Sequence, residues 1–394
     1  MSAPFRSHWG LDPEVRFLNH GSYGACPTAV LQKQAELRAR MESEPVRFLH
    51  REIEPLLDEA RARLADFVGA DPEDVSFVPN ATGGVTTVLR SLRFEPGDEL
   101  LTTDHEYNAS RNALDFVSET WGAKVVVAKL PWPVSSPDAV VDAVLAHVTP
   151  RTRLLLVDHV SSQTALVMPL AKLVSELRAR GVETLVDGAH GPGMVPLSLR
   201  SLGAGYYTGN CHKWLCSPKG AAFLYVRRDL QAGVTPLAVS HGRNSPRTDR
   251  SRHRLLFDWT GTFDPTAALC VPEALRVMGN MLPGGWPEVM ASNRDKALAA
   301  RKMLCDRLKV APACPEEMVG SMAVVTLPPG YPERPEPPLY LDPLHLRLFD
   351  EHRIEVPIVA WPKPPHRHVR VSAQLYNTPD EYVALAEALE VLLR

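Results

Sequence analysis

Long hydrophobic runs are missing from the chain. Runs such as 125–128, 154–157 and 221–226 fall far short of the roughly 18 to 20 apolar residues that cross a bilayer, which excludes a spanning helix and a membrane partner. The opening stretch, MSAPFRSHWGLDPEV, has no apolar core of the kind a secretory signal needs, so a cytoplasmic location is the expectation. Cysteine is sparse and scattered. The six, at 26, 211, 216, 270, 305 and 314, form no C-x-x-C pair, which argues against a disulfide frame or a zinc cage. Charge of one sign is also lacking: 43 basic and 46 acidic side chains leave a net charge of -3, against nucleic acid as a partner. Only Arg243, Arg247, Arg250, Arg252 and Arg254 bunch together, and that stretch reads as a solvated loop. Lysine is the scarcest charged residue, ten against 33 arginines, so each lysine stands out.

What is present is ordinary globular material with 45% hydrophobic and 23% charged residues. At about 150 residues per domain, a length of 394 predicts two or three domains. Helical spacing runs through 29–43 and 55–68, the second with Leu56, Leu57, Ala60, Leu64 and Phe67 on one face. Short Val- and Leu-rich runs follow at 75–78, 99–103, 124–130, 153–158, 183–187 and 221–226. Helical stretches such as 137–148 and 169–180 lie between them. Buried strands alternating with helices predict an α/β fold with a mainly parallel sheet covered on both faces. From about 267 the order changes: long helices at 267–282 and 286–309, a strand at 322–327, and a connection at 328–339 with six prolines in twelve residues. A helix at 343–352, strands at 354–359 and 368–373, and a helix at 379–393 close the chain. This predicts an N-terminal arm over 1–20, a large domain over 21–265 and a smaller α+β domain over 266–394.

In an open parallel sheet, ligands bind beyond the carboxyl ends of the strands. After the run 75–78 comes NATGG, which places Thr82, Gly83 and Gly84 where helix N-terminal amides can hold a phosphate. The G-x-G-x-x-G and G-x-x-x-x-G-K-[ST] patterns are absent, so dinucleotide and ATP sites lose support. The run 183–187 ends in Asp187, a carboxylate costly to bury unpaired. Lys213 stands 26 residues on, between His212 and Trp214, in an apolar setting suited to a desolvated, imine-forming amine. An acid, an amine and a phosphate cradle match the needs of pyridoxal 5'-phosphate.

Eight ordered motifs then carry a resemblance: FLNHGSYGACP (17–27), NATGG (80–84), DHEYNA (104–109), DHVSSQTA (158–165), VDGAH (186–190), GNCHKWLCSPKG (209–220), WTGTFD (259–264) and VRVSAQLYNT (369–378). The chain resembles fold-type I pyridoxal-phosphate enzymes of the class V aminotransferase group, aspartate aminotransferase-like in fold. Within that group it is most similar to the isopenicillin N epimerase-like branch, which is related to cysteine desulfurases and hercynylcysteine sulfoxide lyases. The resemblance implies a large cofactor domain, a smaller C-terminal domain, and a homodimer with shared sites. It also implies roles. Lys213 holds the cofactor and moves the Cα proton; Asp187 pairs with the pyridine nitrogen; Tyr107 stacks on the ring. Thr82, Gly83, Asn210 and His212 hold the phosphate, and Thr262 reaches the phosphate of the neighbouring subunit. His190 contacts the ring hydroxyl, with Ser162 a second candidate. Arg370 clamps the α-carboxylate of a small amino-acid substrate, and Asn19 and His20 border that substrate. His20, His105 and His159 read equally well as structural residues. The Asp-His pairs at 104–105 and 158–159 lack metal-ligand spacing, so no metal is expected.

The reaction stays open at this level. Desulfurases place a nucleophilic cysteine shortly before the carboxylate-binding arginine, and IEVPIVAWPKPPHRH before Arg370 holds none. The remaining readings are a C–S β-lyase acting on a cysteine conjugate in specialised metabolism, which is favoured, an amino-acid epimerase, and decarboxylation-coupled oxidative deamination to an aldehyde. A non-catalytic scaffold is disfavoured because Lys213 and Asp187 are both present. Side-chain recognition is expected from 45–51, where Arg47 and Arg51 lie, and from the 243–254 loop.

Overall fold

The computed structural model describes residues 5–330 and 341–394; most of the proline-rich connection lies outside them. Its larger sheet has seven strands: β1 (Val75–Val78), β2 (Glu99–Thr103), β3 (Lys124–Ala128), β4 (Thr152–Asp158), β5 (Glu183–Asp187), β6 (Tyr206–Asn210) and β7 (Ala222–Val226). They lie in the order β1-β7-β6-β5-β4-β2-β3. All neighbours are parallel except β7, which runs antiparallel to β1 and β6. The β6 strand escapes the sequence pattern. Its sequence, YYTGN, has no aliphatic run, and it is a strand because it is fully buried between β5 and β7. Helix Ala81–Ser91 crosses it closely, since a Cβ on Gly84 would stand 2.1 Å from Thr208 Oγ1.

The smaller sheet is antiparallel and comprises β8 (Met322–Leu327), β9 (Ile358–Ala360) and β10 (Arg367–Ser372), in the order β9-β10-β8. Helices Gly285–Leu308 and Pro379–Leu392 pack on it around one apolar core. The second of these starts on a capping box between Thr378 and Glu381, with Pro379 at its first turn. The predicted strand over 354–359 is two pieces. Pro357, which has no N–H to give a ladder, stands between Ile354–Glu355 and β9. The first piece pairs in parallel with Arg16–Phe17, and Leu18 enters the small core, so the N-terminal segment is stitched to this sheet.

The pattern in the sequence changes at 267, but the packing changes later. Ala267 to Ala274 bury against Val30, Leu37, Leu57 and Leu64 of helices Thr28–Ser43 and Ile53–Val68, within the core of the larger sheet. Helix Val271–Gly279 therefore belongs by contact to the larger unit. Among the described residues, no helix is long and apolar enough to cross a membrane.

Candidate active site

Lys213 sits in the turn after β6, where Cys211 and His212 both donate their backbone N–H to the Ala221 carbonyl. The N-terminal segment presses on this turn. Gly24, at φ 71°, leaves no room for a side chain: a Cβ there would stand 2.2 Å from the His212 oxygen and 2.9 Å from Lys213 Cα. Lys213 Nζ lies 3.1 Å from His190 Nε2. On its other side the His190 ring accepts the Trp214 indole N–H at Nδ1, 3.2 Å away. Burial, then the charges of Lys213 and Arg370, hold His190 well below the usual histidine range, so the ring is neutral. A neutral ring that accepts at Nδ1 carries its proton on Nε2 and offers it to the amine. Burial and then the Arg370 guanidinium bring the Lys213 amine down to about 8. Both arrangements favour the free amine more than in an ordinary lysine, with half of it free at about pH 8.

Asp187 ends β5 and is buried. One carboxylate oxygen accepts the Ser110 hydroxyl at 2.7 Å and the other accepts the Ala189 N–H at 3.0 Å. Burial raises its pKa against these two bonds and the Lys213 charge. Tyr107 precedes helix Asn108–Trp121 and is 41% exposed at the mouth of the site. Burial, then the nearby Tyr23 phenol and Asp187, raise its hydroxyl above the usual range.

Arg370 projects from β10 and is 4% exposed. It donates to the Ser162 carbonyl at 2.5 Å, to the Ser22 hydroxyl at 2.9 Å, and more distantly to Ser162 Oγ and Asn19 Oδ1. Among the described residues it has no carboxylate partner, and its Nε is buried without any partner. Burial brings it down to about 10. Asn19 is held in turn by Glu355 Oε1 at 2.8 Å. The structure thus brings Lys213, His190, Arg370, Ser162 and Asn19 together. Ser162 serves the arginine rather than a position beside His190, because both its carbonyl and its hydroxyl face the guanidinium.

Two expectations, for His20 and Gly83, are corrected. His20 does not border an open cavity: it is fully buried, bonded to the Tyr376 hydroxyl at 2.9 Å and the Lys213 carbonyl at 3.0 Å, and so supports the lysine turn from behind. Gly83 gives its N–H to the Asn80 side chain at 2.8 Å, and Asn210 Oδ1 takes the Ala81 N–H at 2.8 Å. These bonds build the turn at the helix N-terminus and leave the Thr82 hydroxyl, Asn210 Nδ2 and His212 Nε2 without partners among the described residues. His212 is fixed through Nδ1 on the Ala221 carbonyl at 3.1 Å, and burial brings it down to about 4. Thr262 is exposed on the loop before Pro265 and meets none of the other site residues of its own subunit, as its expected reach to a neighbouring subunit requires. The arginine-rich loop is also no open anion site, since Arg247, Arg250 and Arg254 are bonded to Glu54, Asp58, Glu73, Asp249 and Asp258. Arg47 is likewise tied to Glu52 at 2.7 Å. Sequence reasoning missed Ser110, one residue beyond a motif it had read, and the Trp214 indole, whose role depends on where the ring points.

A buried arginine with an unpartnered Nε, a neutral-leaning lysine, an acid at a strand end and a helix N-terminus fit an amino acid and a pyridoxal phosphate. The fold and this donor set define a fold-type I pyridoxal-phosphate enzyme. The comparisons agree: the Aminotransferase class-V family matches residues 19–282, and the chain belongs to it. It is 38% identical to an isopenicillin N epimerase of Amycolatopsis lactamdurans over 98% of this chain and 97% of that one. It is 32% identical to a probable chloroplastic L-cysteine desulfhydrase of Arabidopsis thaliana, over 97% and 84%. Among solved structures, a cystine C–S lyase in complex with cysteine persulfide superposes with a TM-score of 0.79 at 21% identity, covering 96% of this chain and 97% of that one.

Proposed function

We propose that the chain is a β-lyase that splits the C–S bond of an S-substituted cysteine, with Lys213 as its base. The observation that carries this reading is the amine itself, poised beside His190 with no carboxylate bonded to it among the described residues and about 8 as its pKa. One base on one face is enough for elimination. Pyridoxal phosphate, when bound, supplies the electron sink that stabilises negative charge at Cα.

The residues of the chain do the rest. Asp187, held by Ser110 and Ala189, would pair with the ring nitrogen of the cofactor. The Thr82 hydroxyl and His212 take the phosphate on one subunit, and Thr262 is assigned to that of the other subunit in a homodimer. Arg370 takes the α-carboxylate with its free edge, while Ser162, Ser22 and Asn19 keep the guanidinium in place. With the carboxylate fixed, Lys213 Nζ accepts the Cα proton. The Cβ–S bond breaks with its electron pair on sulfur, and Tyr107, a phenol kept protonated by burial, delivers a proton to it. Overall, the conjugate and one water give a thiol, pyruvate and ammonium. Transfer of sulfur to the chain is disfavoured, because burial pushes every cysteine thiol up, Cys26 and Cys270 to about 12.

Epimerisation is a second reading, supported by relatives at 38% and 34% identity and by the adjacent Tyr107 and Tyr23 phenols, which offer a second acid–base. The deciding experiment supplies L-cysteine S-conjugates in deuterium oxide. Pyruvate with free thiol supports the lyase. Deuterium at Cα without pyruvate replaces it with the epimerase, and an aldehyde with carbon dioxide replaces both.

A further inference from the structure

The strand register sets Asp158 beside Asp187 at the carboxyl ends of β4 and β5. The loop after β2 brings Glu106 to the same place, so that an oxygen of each carboxyl group lies within 4.8 Å of the other two. All three side chains are buried. Three like charges at this distance in a dry site cannot all be ionised. Their hydrogen-bond donors are unevenly shared. Asp187 has one on each oxygen, Ser110 and Ala189. Glu106 has the Thr102 hydroxyl on Oε2 at 3.3 Å and nothing on Oε1, and Asp158 Oδ2 also has nothing. An unpartnered buried acceptor is costly. Two such acceptors in one cluster call for a hydrogen on one of them.

We propose that Glu106 and Asp158 carry one proton between them, one of the two being a neutral carboxylic acid at neutral pH, so that Asp187 keeps its negative charge. Glu106 and Asp158 are then positioning residues for Asp187. The groups that bear on the pair are Asp187, the Tyr107 backbone N–H acting on both acids, the Lys213 amine acting on Asp158, and Arg111, one helical turn into Asn108–Trp121, acting on Glu106. Burial comes first and the neighbouring carboxylates second in raising both acids well above the usual range. The shared proton stands independently of the proposed reaction. Only its consequence for the ring nitrogen rests on the role given there to Asp187.

The test is infrared spectroscopy of the full chain, cofactor-free and cofactor-loaded, in water and in deuterium oxide at neutral pH. The expected result is a carbonyl band of a protonated carboxyl that shifts in deuterium oxide and is missing from the Glu106→Gln/Asp158→Asn double variant. The amides keep a hydrogen in the cluster, so this variant folds where Glu106→Ala fails. No such band in the wild type overturns the proposal, as does a band that survives in the double variant, which would place the proton on Asp187. A second readout is melting temperature against pH. An acid whose folded pKa is raised gives stability that is fully present below the ordinary carboxylate range and is lost as pH rises through the folded value. The wild type therefore loses melting temperature with rising pH more steeply than the double variant, and equal slopes count against the shared proton. Manganese or magnesium that raises the wild-type melting temperature and removes the band would make the cluster a cation site and overturn the proposal. Failure of the lyase assay leaves the band untouched, so the two readings fail separately.

Discussion

Arg254 and Arg370 are buried to nearly the same degree, 5% and 4% exposed, and their surroundings are opposite. Arg254 is bonded to Asp58, to Glu73 at 2.7 Å and to Asp258 at 3.0 Å, inside a network that also holds Arg61 and Arg250. Although burial pulls its pKa down, Asp258, Asp58 and Glu73 raise it. Arg370 meets only neutral oxygens, and burial wins. A guanidinium whose charge is answered inside the fold fastens the chain. One whose charge is left unanswered stores a demand for an anion, which the proposed function assigns to a substrate carboxylate. The sequence draws attention to both regions, through the 243–254 arginine cluster and through the motif around 370. Only the count of carboxylates around each separates fastening from binding.

That contrast can be broken by substituting methionine at each position. Arg370→Met removes two charge-assisted bonds to the carboxylate, each roughly 1.5–3 kcal/mol, so kcat/KM falls on the order of 10³-fold. The cofactor absorbance stays; losing that band would put Arg370 at the cofactor instead. Arg254→Met strands several carboxylates and costs about 3–5 kcal/mol of stability, read as a lower denaturant midpoint, with KM unchanged in the folded fraction. By the same logic Arg370→Met is neutral or stabilising without substrate, gaining up to about 1–4 kcal/mol. A destabilised Arg370→Met would mean that the neutral partners suffice and the contrast is false.

Two finer effects concern Lys213. Only the free amine captures cofactor, so the capture rate of the cofactor-free chain rises as pH increases through about 8 and levels above it. A rise centred near the ordinary lysine value would deny the influence of burial and Arg370. Trp214→Phe keeps the ring but loses the N–H that fixes the His190 tautomer. At about 1 kcal/mol for one hydrogen bond, the midpoint moves up by less than one pH unit. The ¹⁵N shifts of His190 then show mixed tautomers; an unmoved midpoint would leave Trp214 a packing residue alone.

Sequence alone reached far into this protein because its cues are local. Apolar runs bounded by turns gave five of the seven strands of the larger sheet nearly to the residue, and Lys213, Asp187 and Arg370 lie in contiguous motifs. The strand at 206–210 escaped because its burial comes from neighbours rather than from aliphatic side chains. Helix 271–279 was grouped with the wrong neighbours because a change of pattern along the chain is not a change of contact.

Residue chemistry that acts at its own position was therefore legible in the sequence, which singled out one lysine, one acid, one arginine and one helix start as candidates. Tertiary structure decided what depends on a second atom from elsewhere. It turned His20 inward onto Tyr376 and Lys213, gave Gly83 and Asn210 to the turn, pointed Trp214 at His190, and set Glu106, Asp158 and Asp187 side by side. The physical reason is that hydrogen bonds and charge repulsion act over a few ångströms of space, and the residues that supply them stand up to 356 positions apart along the chain.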